Sequence, residues 1–185
     1  MARLYKHIHC KLIVRASILM IIISRRKSRM SKAKVFLDSW LRHRLVTNDI
    51  IEMVTDKDLD FKPWEGAMSL KELTLHIVQS GDIFVRATQL GAVEKPSEVQ
   101  EITTAEELKQ VVRNLTANSQ SNLESLTDEQ LDNLIDVTNL FGTHLPGHVL
   151  LNMMRDHEIH HKGQLFIYAR MIGLENLPLF VKHQL

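Results

Sequence analysis

Apolar residues recur every three or four positions along four stretches of the chain, which is the spacing of one face of an α-helix. The first stretch covers about Ser31–Thr55, and the fourth covers Pro146–Gly173. The second, Ser69–Leu90, and the third, from Thr104, each open on a capping box of Ser or Thr followed three residues later by Glu. A short helix over Thr127–Ile135 is also expected, and no stretch alternates as a half-buried strand does. The pattern predicts an all-α fold, a four-helix bundle with one long crossover connection.

The formal charge of +1 averages two chemically different parts of the chain. Residues 1–29 contain eight Lys and Arg residues and no acidic residue. From Met30 onward, 15 Lys and Arg stand against 22 Asp and Glu, a formal charge of −7. Because phosphate contacts need clustered Lys and Arg, the acidic part argues against a nucleic-acid-binding surface. We therefore expect a basic leader over residues 1–29 and a folded domain over residues 30–185 that binds no nucleic acid.

The leader admits three interpretations. Its only continuous apolar run, Ala16–Ile23 with Ser17 inside it, is far shorter than the ~20 residues that span a bilayer. It could be a signal peptide or short anchor, an Arg-rich organelle-targeting segment, or an over-extended start. We favour the over-extended start, with the working protein beginning at Met30, because the helical pattern begins only there. We expect no membrane partner unless the leader is a genuine anchor.

The single cysteine, Cys10, lies in the leader, so the domain from Met30 onward contains none. A structural disulfide, a thiolate metal ligand and a cysteine nucleophile are therefore excluded from the domain. This composition is consistent with a reducing cytoplasm, where we place the protein. Any thiol chemistry would need a thiol supplied by another molecule.

Two histidines of the fourth helix, His157 and His161, are one turn apart and lie within about 40° of each other around the helix. We expect both imidazoles at the centre of an apolar face that also carries Leu150, Met153, Met154, Gln164, Tyr168 and Met171. Imidazoles in such a place are costly unless each finds a partner, and nitrogens four residues apart can converge on one metal ion. The alternative interpretation is a pair of neutral core histidines that form hydrogen bonds with other side chains.

A third ligand is needed, and His76 is the best candidate because it flanks the apolar stripe of the second helix. His144 and His148 are the alternatives, although His148 falls on the opposite face of the fourth helix from His157. Catalytic candidates are Glu158 and His160, which could handle protons beside the metal, and Gln164 could orient one ligand. The pattern does not assign a general base.

The segment from His157 to His161 also matches the HExxH motif, in which two histidines bind zinc and the Glu is the general base. The residues after His161 lack the further Gly and His of the metzincin pattern. A metalloprotease is therefore a minor alternative.

Three segments resemble the DinB/YfiT-like superfamily of metal-dependent four-helix-bundle proteins: Trp64–His76, the run HEIHHKGQL from His157, and Arg170–Gly173 followed by Pro178. The resemblance implies a bundle with a metal near one end, often in a homodimer. It also implies a three-histidine site, which falls on His76, His157 and His161. Some members of the superfamily are thiol transferases or isomerases that use a low-molecular-weight thiol such as bacillithiol or mycothiol.

Two classes of function follow. The leading hypothesis is a metal-dependent enzyme, because three neutral imidazoles leave Zn²⁺ or Ni²⁺ an open position for a small thiol or for water. The enzyme would be an S-transferase or a hydrolase acting on a small-molecule substrate. The alternative is a non-catalytic, metal-stabilised, stress-related binding protein, which predicts a fourth protein ligand and no adjoining pocket.

Overall fold

The computed structural model describes residues 30–95 and 100–183, and most of them are helical. The four long helices are α1 (Lys32–Glu52), α2 (Leu70–Leu90), α3 (Ala105–Ser125) and α6 (Gly147–Met171). The shorter elements are a 3₁₀ turn (Asp56–Asp58), α4 (Asp128–Asp132) and α5 (Thr138–Phe141). The predicted all-α class is confirmed. The predicted leader, residues 1–29 with Cys10, lies outside the described residues.

Both predicted capping boxes are present, and they fix where α2 and α3 begin. The backbone N–H of Glu72 donates to Ser69 Oγ, and the backbone N–H of Ser69 donates to the Glu72 carboxylate. Thr104 and Glu107 exchange the same pair of hydrogen bonds at the start of α3. Each box satisfies backbone donors that a helix N-terminus leaves without partners. Gly91 ends α2 in the left-handed region, with φ of 85°.

A small antiparallel sheet, formed by β1 (Leu134–Asp136) and β2 (His144–Pro146), interrupts the helical pattern before α6. The short helix predicted over Thr127–Ile135 is therefore wrong at its end, because α4 stops at Asp132 and Ile135 lies in β1 opposite Leu145. Strands of three residues are too short to show a period of two. Among the described helices, none is both long and apolar enough to cross a membrane.

Both α1 and α2 pack against α3 and against α6, so the two helices that carry the predicted metal ligands are direct neighbours. The largest apolar cluster uses residues of all four long helices, including Ile50, Leu73, Leu108 and Leu165. A second cluster forms around Trp40. Along α1 and α6, the two clusters are separated by Arg44 and Glu158, which are as buried as the apolar residues around them.

Candidate metal centre

Three imidazoles meet where α2 packs against α6. Nε2 of His76 lies 3.0 Å from Nε2 of His157 and 3.2 Å from Nε2 of His161. One ring nitrogen from each of the three histidines lies within 4.8 Å of the others. The structure therefore brings the three histidines that the sequence singles out into one cluster, with one ring nitrogen from each of them in it.

Gln164 fixes the orientation of one of these rings. Its Oε1 lies 2.6 Å from Nδ1 of His161, one helical turn earlier on α6. An amide oxygen only accepts, so Nδ1 of His161 carries the proton and Nε2 turns a lone pair toward the other histidines. This is the orienting role that the sequence suggests for Gln164.

The three rings are poorly satisfied by one another. Because Nε2 of His161 has no proton, a hydrogen bond between it and His76 requires the proton on His76. That single N–H would then also have to serve His157, 3.0 Å away. If His157 donates instead, two lone pairs face each other between His76 and His161. Within the described part of the chain, Nδ1 of His157 is also buried without a hydrogen-bond partner. Hydrogen bonding among neutral core histidines, the alternative interpretation, thus leaves one close contact without a proton.

Burial favours the neutral form of His157 and of His76. Desolvation, with the neighbouring His161 and His76 as smaller causes, lowers the pKa of His157 to about 4. Desolvation and His161 also lower the pKa of His76. Neutral imidazole is the form that binds a metal ion, so these two rings are held in the state that a metal ligand needs.

The donor set fits a divalent transition metal. Zn–N bonds of about 2.0–2.1 Å in a tetrahedral site place neighbouring nitrogens about 3.3 Å apart. The separations of 3.0 and 3.2 Å are close to that value. Among the described residues, this group of potential ligands has three members and no fourth Asp, Glu, Cys or His. Three imidazole nitrogens are a donor set that divalent transition metals accept.

His157 and His161 lie at the edge of the buried face of α6, and the prediction that they occupy its centre is wrong. Their side chains are half-buried, as is that of His76 on α2, and Met153 and Met171, which the sequence pattern predicts on the same apolar face, are exposed. The centre of the buried face is formed by Glu158, Lys162 and Leu165. Two of these residues are charged, so a pattern that counts charges as surface residues misplaces the face.

Glu158 points away from the histidines and toward α1. Its carboxylate accepts hydrogen bonds from Trp40 Nε1 at 2.7 Å, Arg44 Nε at 2.7 Å, Arg44 Nη2 at 3.0 Å and Thr47 Oγ1 at 3.2 Å. The expectation that Glu158 handles protons beside the metal does not fit these contacts, because both oxygens are held by α1. The HExxH protease alternative loses its support for the same reason, since its Glu must reach water at the metal.

The other predicted histidines lie in three different places. His160 is exposed, and its ring centroid is 4.8 Å from that of His161, so it stays a candidate at the rim of the site. His144 lies in β2 with Nε2 3.9 Å from the Asp136 carboxylate. Nδ1 of His148 lies 3.1 Å from the carbonyl oxygen of Leu131. Neither alternative ligand belongs to the cluster.

A second buried polar contact on α6 is not predicted by the sequence pattern. The buried Lys162 donates through Nζ to the carbonyl oxygen of Phe180 at 2.6 Å and lies 2.8 Å from Nδ1 of His43. Desolvation lowers the pKa of Lys162, and desolvation and the Lys162 charge lower the pKa of His43. Nδ1 of a neutral His43 can accept a hydrogen bond from Nζ of Lys162, so both groups have a hydrogen-bond partner. The position of Lys162 next to His161 gives no sequence signal for this contact.

Comparison with known proteins identifies the relatives of the chain. A sequence model of the DinB family matches residues 30–183. The uncharacterized protein YjoA of Bacillus subtilis is 36% identical over 151 residues, which cover 82% of this chain and 97% of that protein. The crystal structure of a DinB-like protein from Bacillus subtilis superposes with a TM-score of 0.72 at 34% identity, covering 80% of this chain and 99% of that one. A DinB-like protein from Bacillus cereus gives a TM-score of 0.66 at 25% identity, covering 77% and 93%. The chain belongs to the DinB family.

Proposed function

We propose that this protein binds a divalent metal ion, Zn²⁺ or Ni²⁺, through His76, His157 and His161. The observation that carries the proposal is the convergence of three Nε2 atoms at distances typical of ligands around one ion. The lone pair that Gln164 imposes on His161 and the lowered pKa values of His157 and His76 support it.

We also propose that the metal centre is catalytic. A divalent ion held by three neutral imidazoles supplies a positive charge that lowers the pKa of a small thiol or of water in the open position. The absence of a fourth potential ligand from the described cluster supports an open position. The cysteine-free domain supports thiol S-transfer in particular, because it contains no internal thiol to compete for the site. His160, exposed beside His161, is the candidate to move a proton at the rim. Its role and the small-molecule substrate are parts of the proposal.

The non-catalytic alternative has one supporting observation, which is that the three histidines come from two helices. A metal ion there would join α2 to α6 and stabilise the fold even without turnover.

We further infer that the scaffold is the four-helix bundle with one long crossover, since α1 and α2 each pack against both α3 and α6. The homodimer and the cytoplasmic location stay predictions.

Metal analysis of the purified full chain tests the metal site. We expect about one Zn²⁺ or Ni²⁺ per chain in the wild-type protein, as tetrahedral three-histidine sites hold a single ion. His76→Ala, His157→Ala and His161→Ala should each lose most of it. His144→Ala is the matched control, because this exposed histidine lies outside the cluster. Unchanged metal content in all three cluster variants would overturn the site.

A panel of small thiols with an electrophilic chromogenic probe then separates the catalytic proposals. In the S-transfer reaction the thiolate sulfur forms a bond to the electrophilic carbon, the leaving group departs with its electron pair, and the thiol proton goes to solvent. Turnover that requires both the metal and a thiol supports the transferase. Hydrolysis of ester probes without thiol supports the hydrolase, and no turnover in either assay favours the non-catalytic protein.

A further inference from the structure

One face of α1 supplies every hydrogen-bond donor that Glu158 receives from the described residues. Trp40, Arg44 and Thr47 are spaced by four and three residues, which places them on one stripe of the helix. Arg44 and Glu158 form a two-point ion pair, and their side chains are 0% and 2% exposed. A guanidinium that binds both oxygens of a carboxylate fixes direction as well as distance.

The Arg44 side chain also reaches the other helices of the bundle. Its Nη1 lies 3.5 Å from Thr116 Oγ1 on α3. On α2 it faces Gly81, where an added Cβ would stand only 2.7 Å from Nη2. Gly81 follows His76 by five residues on the same helix. One guanidinium therefore lies between the helix that carries His76 and the helix that carries His157 and His161.

We propose that Arg44 and Glu158 are positioning residues that set the rotation and spacing of α2 and α6 and thereby hold the three histidines in ligand geometry. This inference rests on the proposed metal site. Glu158 directly follows His157, so its attachment to α1 fixes the angle at which His157 and His161 face α2. Gly81 lets the guanidinium approach the α2 backbone, which fixes the second helix.

A metal site requires its ligand atoms to be placed precisely, and this is why an ion pair that fixes the helices matters. Side-chain tips lie about 6 Å from the axis of a helix, so a turn of about 10° moves them by about 1 Å. Metal–ligand distances tolerate about 0.2 Å. Apolar packing alone permits shifts larger than this, because cores accept many arrangements of similar volume. The two-point ion pair at Glu158, one residue from the proposed ligand His157, restricts the rotation of α6 about its own axis that would move the imidazoles out of ligand distance.

A merely stabilising role makes a different prediction. Replacing a buried ion pair with apolar side chains of similar volume is often neutral or stabilising, since it removes the desolvation penalty of two charges. If the pair only stabilises the fold, the variant Arg44→Met/Glu158→Leu should bind metal as the wild type does. If the pair positions the histidines, the same variant should fold and bind metal more weakly.

The experiment measures Zn²⁺ affinity by competition with a chromophoric chelator, together with the visible absorption of the Co²⁺-loaded protein. We expect the double variant to keep its helical circular dichroism and to bind Zn²⁺ about 10- to 100-fold more weakly, the usual effect of losing support for metal ligands. The Co²⁺ bands should shift or weaken, because they report the geometry of the ligands.

Gly81→Ala is the second variant, and it tests the same positioning role while both Arg44 and Glu158 are retained. The added methyl group displaces Nη2 of Arg44, which donates a hydrogen bond to Glu158, although Ala itself favours the helix by about 1 kcal/mol over Gly. We expect Zn²⁺ binding to weaken by about 10-fold, at the low end of that range. Gly163→Ala on α6 is the matched control, because an added Cβ there meets nothing within 4 Å. It should bind Zn²⁺ as the wild type does.

The outcomes separate the positioning role from the metal site itself. Wild-type protein that binds neither Zn²⁺ nor Co²⁺ overturns the proposed function and the positioning role with it. Wild-type binding with equal affinity and unchanged Co²⁺ bands in a folded double variant and in Gly81→Ala overturns the positioning role alone. If the double variant does not fold, Gly81→Ala compared with Gly163→Ala decides.

Discussion

Two polar clusters lie on adjacent faces of α6, and they differ in burial, in charge and in how fully their polar atoms find hydrogen-bond partners. The histidine cluster lies between α6 and α2, is half-buried, and contains a buried nitrogen, Nδ1 of His157, without a hydrogen-bond partner among the described residues. The Glu158 cluster faces α1, is almost completely buried, contains the Arg44–Glu158 ion pair, and gives the carboxylate four hydrogen-bond donors. The Glu158 cluster is complete, because its polar groups find their hydrogen-bond partners within the protein, and such a cluster has a structural role. The histidine cluster is incomplete, because at least one of its polar atoms has no partner among the described residues, and such a cluster is available to bind a ligand.

The largest effect that this contrast predicts is the loss of stability when the complete cluster loses one partner. Glu158→Ala leaves the Arg44 guanidinium buried without its carboxylate, and breaking a buried pair costs about 3–5 kcal/mol. Urea unfolding should show a midpoint shifted far below that of the wild type. Arg113→Ala is the control, because Arg113 pairs with Glu52 and Glu106 at the surface and should hardly change the midpoint. Equal shifts in the two variants would contradict the structural role of Glu158.

The incomplete cluster should respond to metal instead. A metal at a thousandfold excess over its Kd stabilises the folded state by about 4 kcal/mol, because the unfolded chain lacks the site. Chelation should therefore lower the thermal midpoint of the wild-type protein by about 8–16 °C, as differential scanning calorimetry can measure. His157→Ala should melt near the chelated wild type with or without added metal. His183→Ala, an exposed histidine outside the cluster, should behave as the wild type. A chelator-insensitive wild-type midpoint is the result that would count against the metal.

The two clusters also differ in how far the sequence predicts them. The capping boxes at Ser69 and Thr104 could be predicted because all their atoms lie within four residues. The three histidines could be predicted because helical period and family resemblance indicate the same positions. Arg44 and Glu158 are separated by 114 residues, and neither local pattern marks the other as its partner. Because charges such as Glu158 are buried through long-range pairs, the helical period does not locate the centre of the buried face of α6, and it predicts His157 and His161 too deep in the core.

A third test measures how the stability of the metal-free protein depends on pH. In metal-free protein, burial depresses the pKa of His157 to about 4 in the folded state, against about 6.5 in the unfolded chain. Between these values the unfolded state binds more protons, so the free energy of unfolding is at its full value above pH 6.5 and falls as the pH decreases toward 4. Urea unfolding at several pH values in EDTA measures this slope.

His157→Gln is the variant that isolates this effect, because it cannot titrate in this range. Its stability should fall less steeply than that of the wild type between pH 6.5 and 4. The lowered pKa of His76 acts in the same direction and leaves a residual slope. Identical slopes for the variant and the wild type would show that the pKa of His157 is not lowered by burial in the folded state.

The smallest expected effect concerns Gln164, which contacts the incomplete cluster without being a ligand. Its Oε1 accepts the Nδ1 proton of His161, so Gln164→Ala removes the acceptor that holds the Nε2 lone pair toward the metal position. We expect Zn²⁺ affinity to fall by about 10-fold with little change in metal-free stability, because the contact lies at a half-buried site. Gln164→Glu keeps an acceptor at the same position and should retain or strengthen binding, since a carboxylate makes the ring a better donor to the metal. Chelator competition distinguishes these outcomes. If Gln164→Ala and Gln164→Glu weaken Zn²⁺ binding equally, the side chain acts through packing, and the tautomer of His161 is set by another contact.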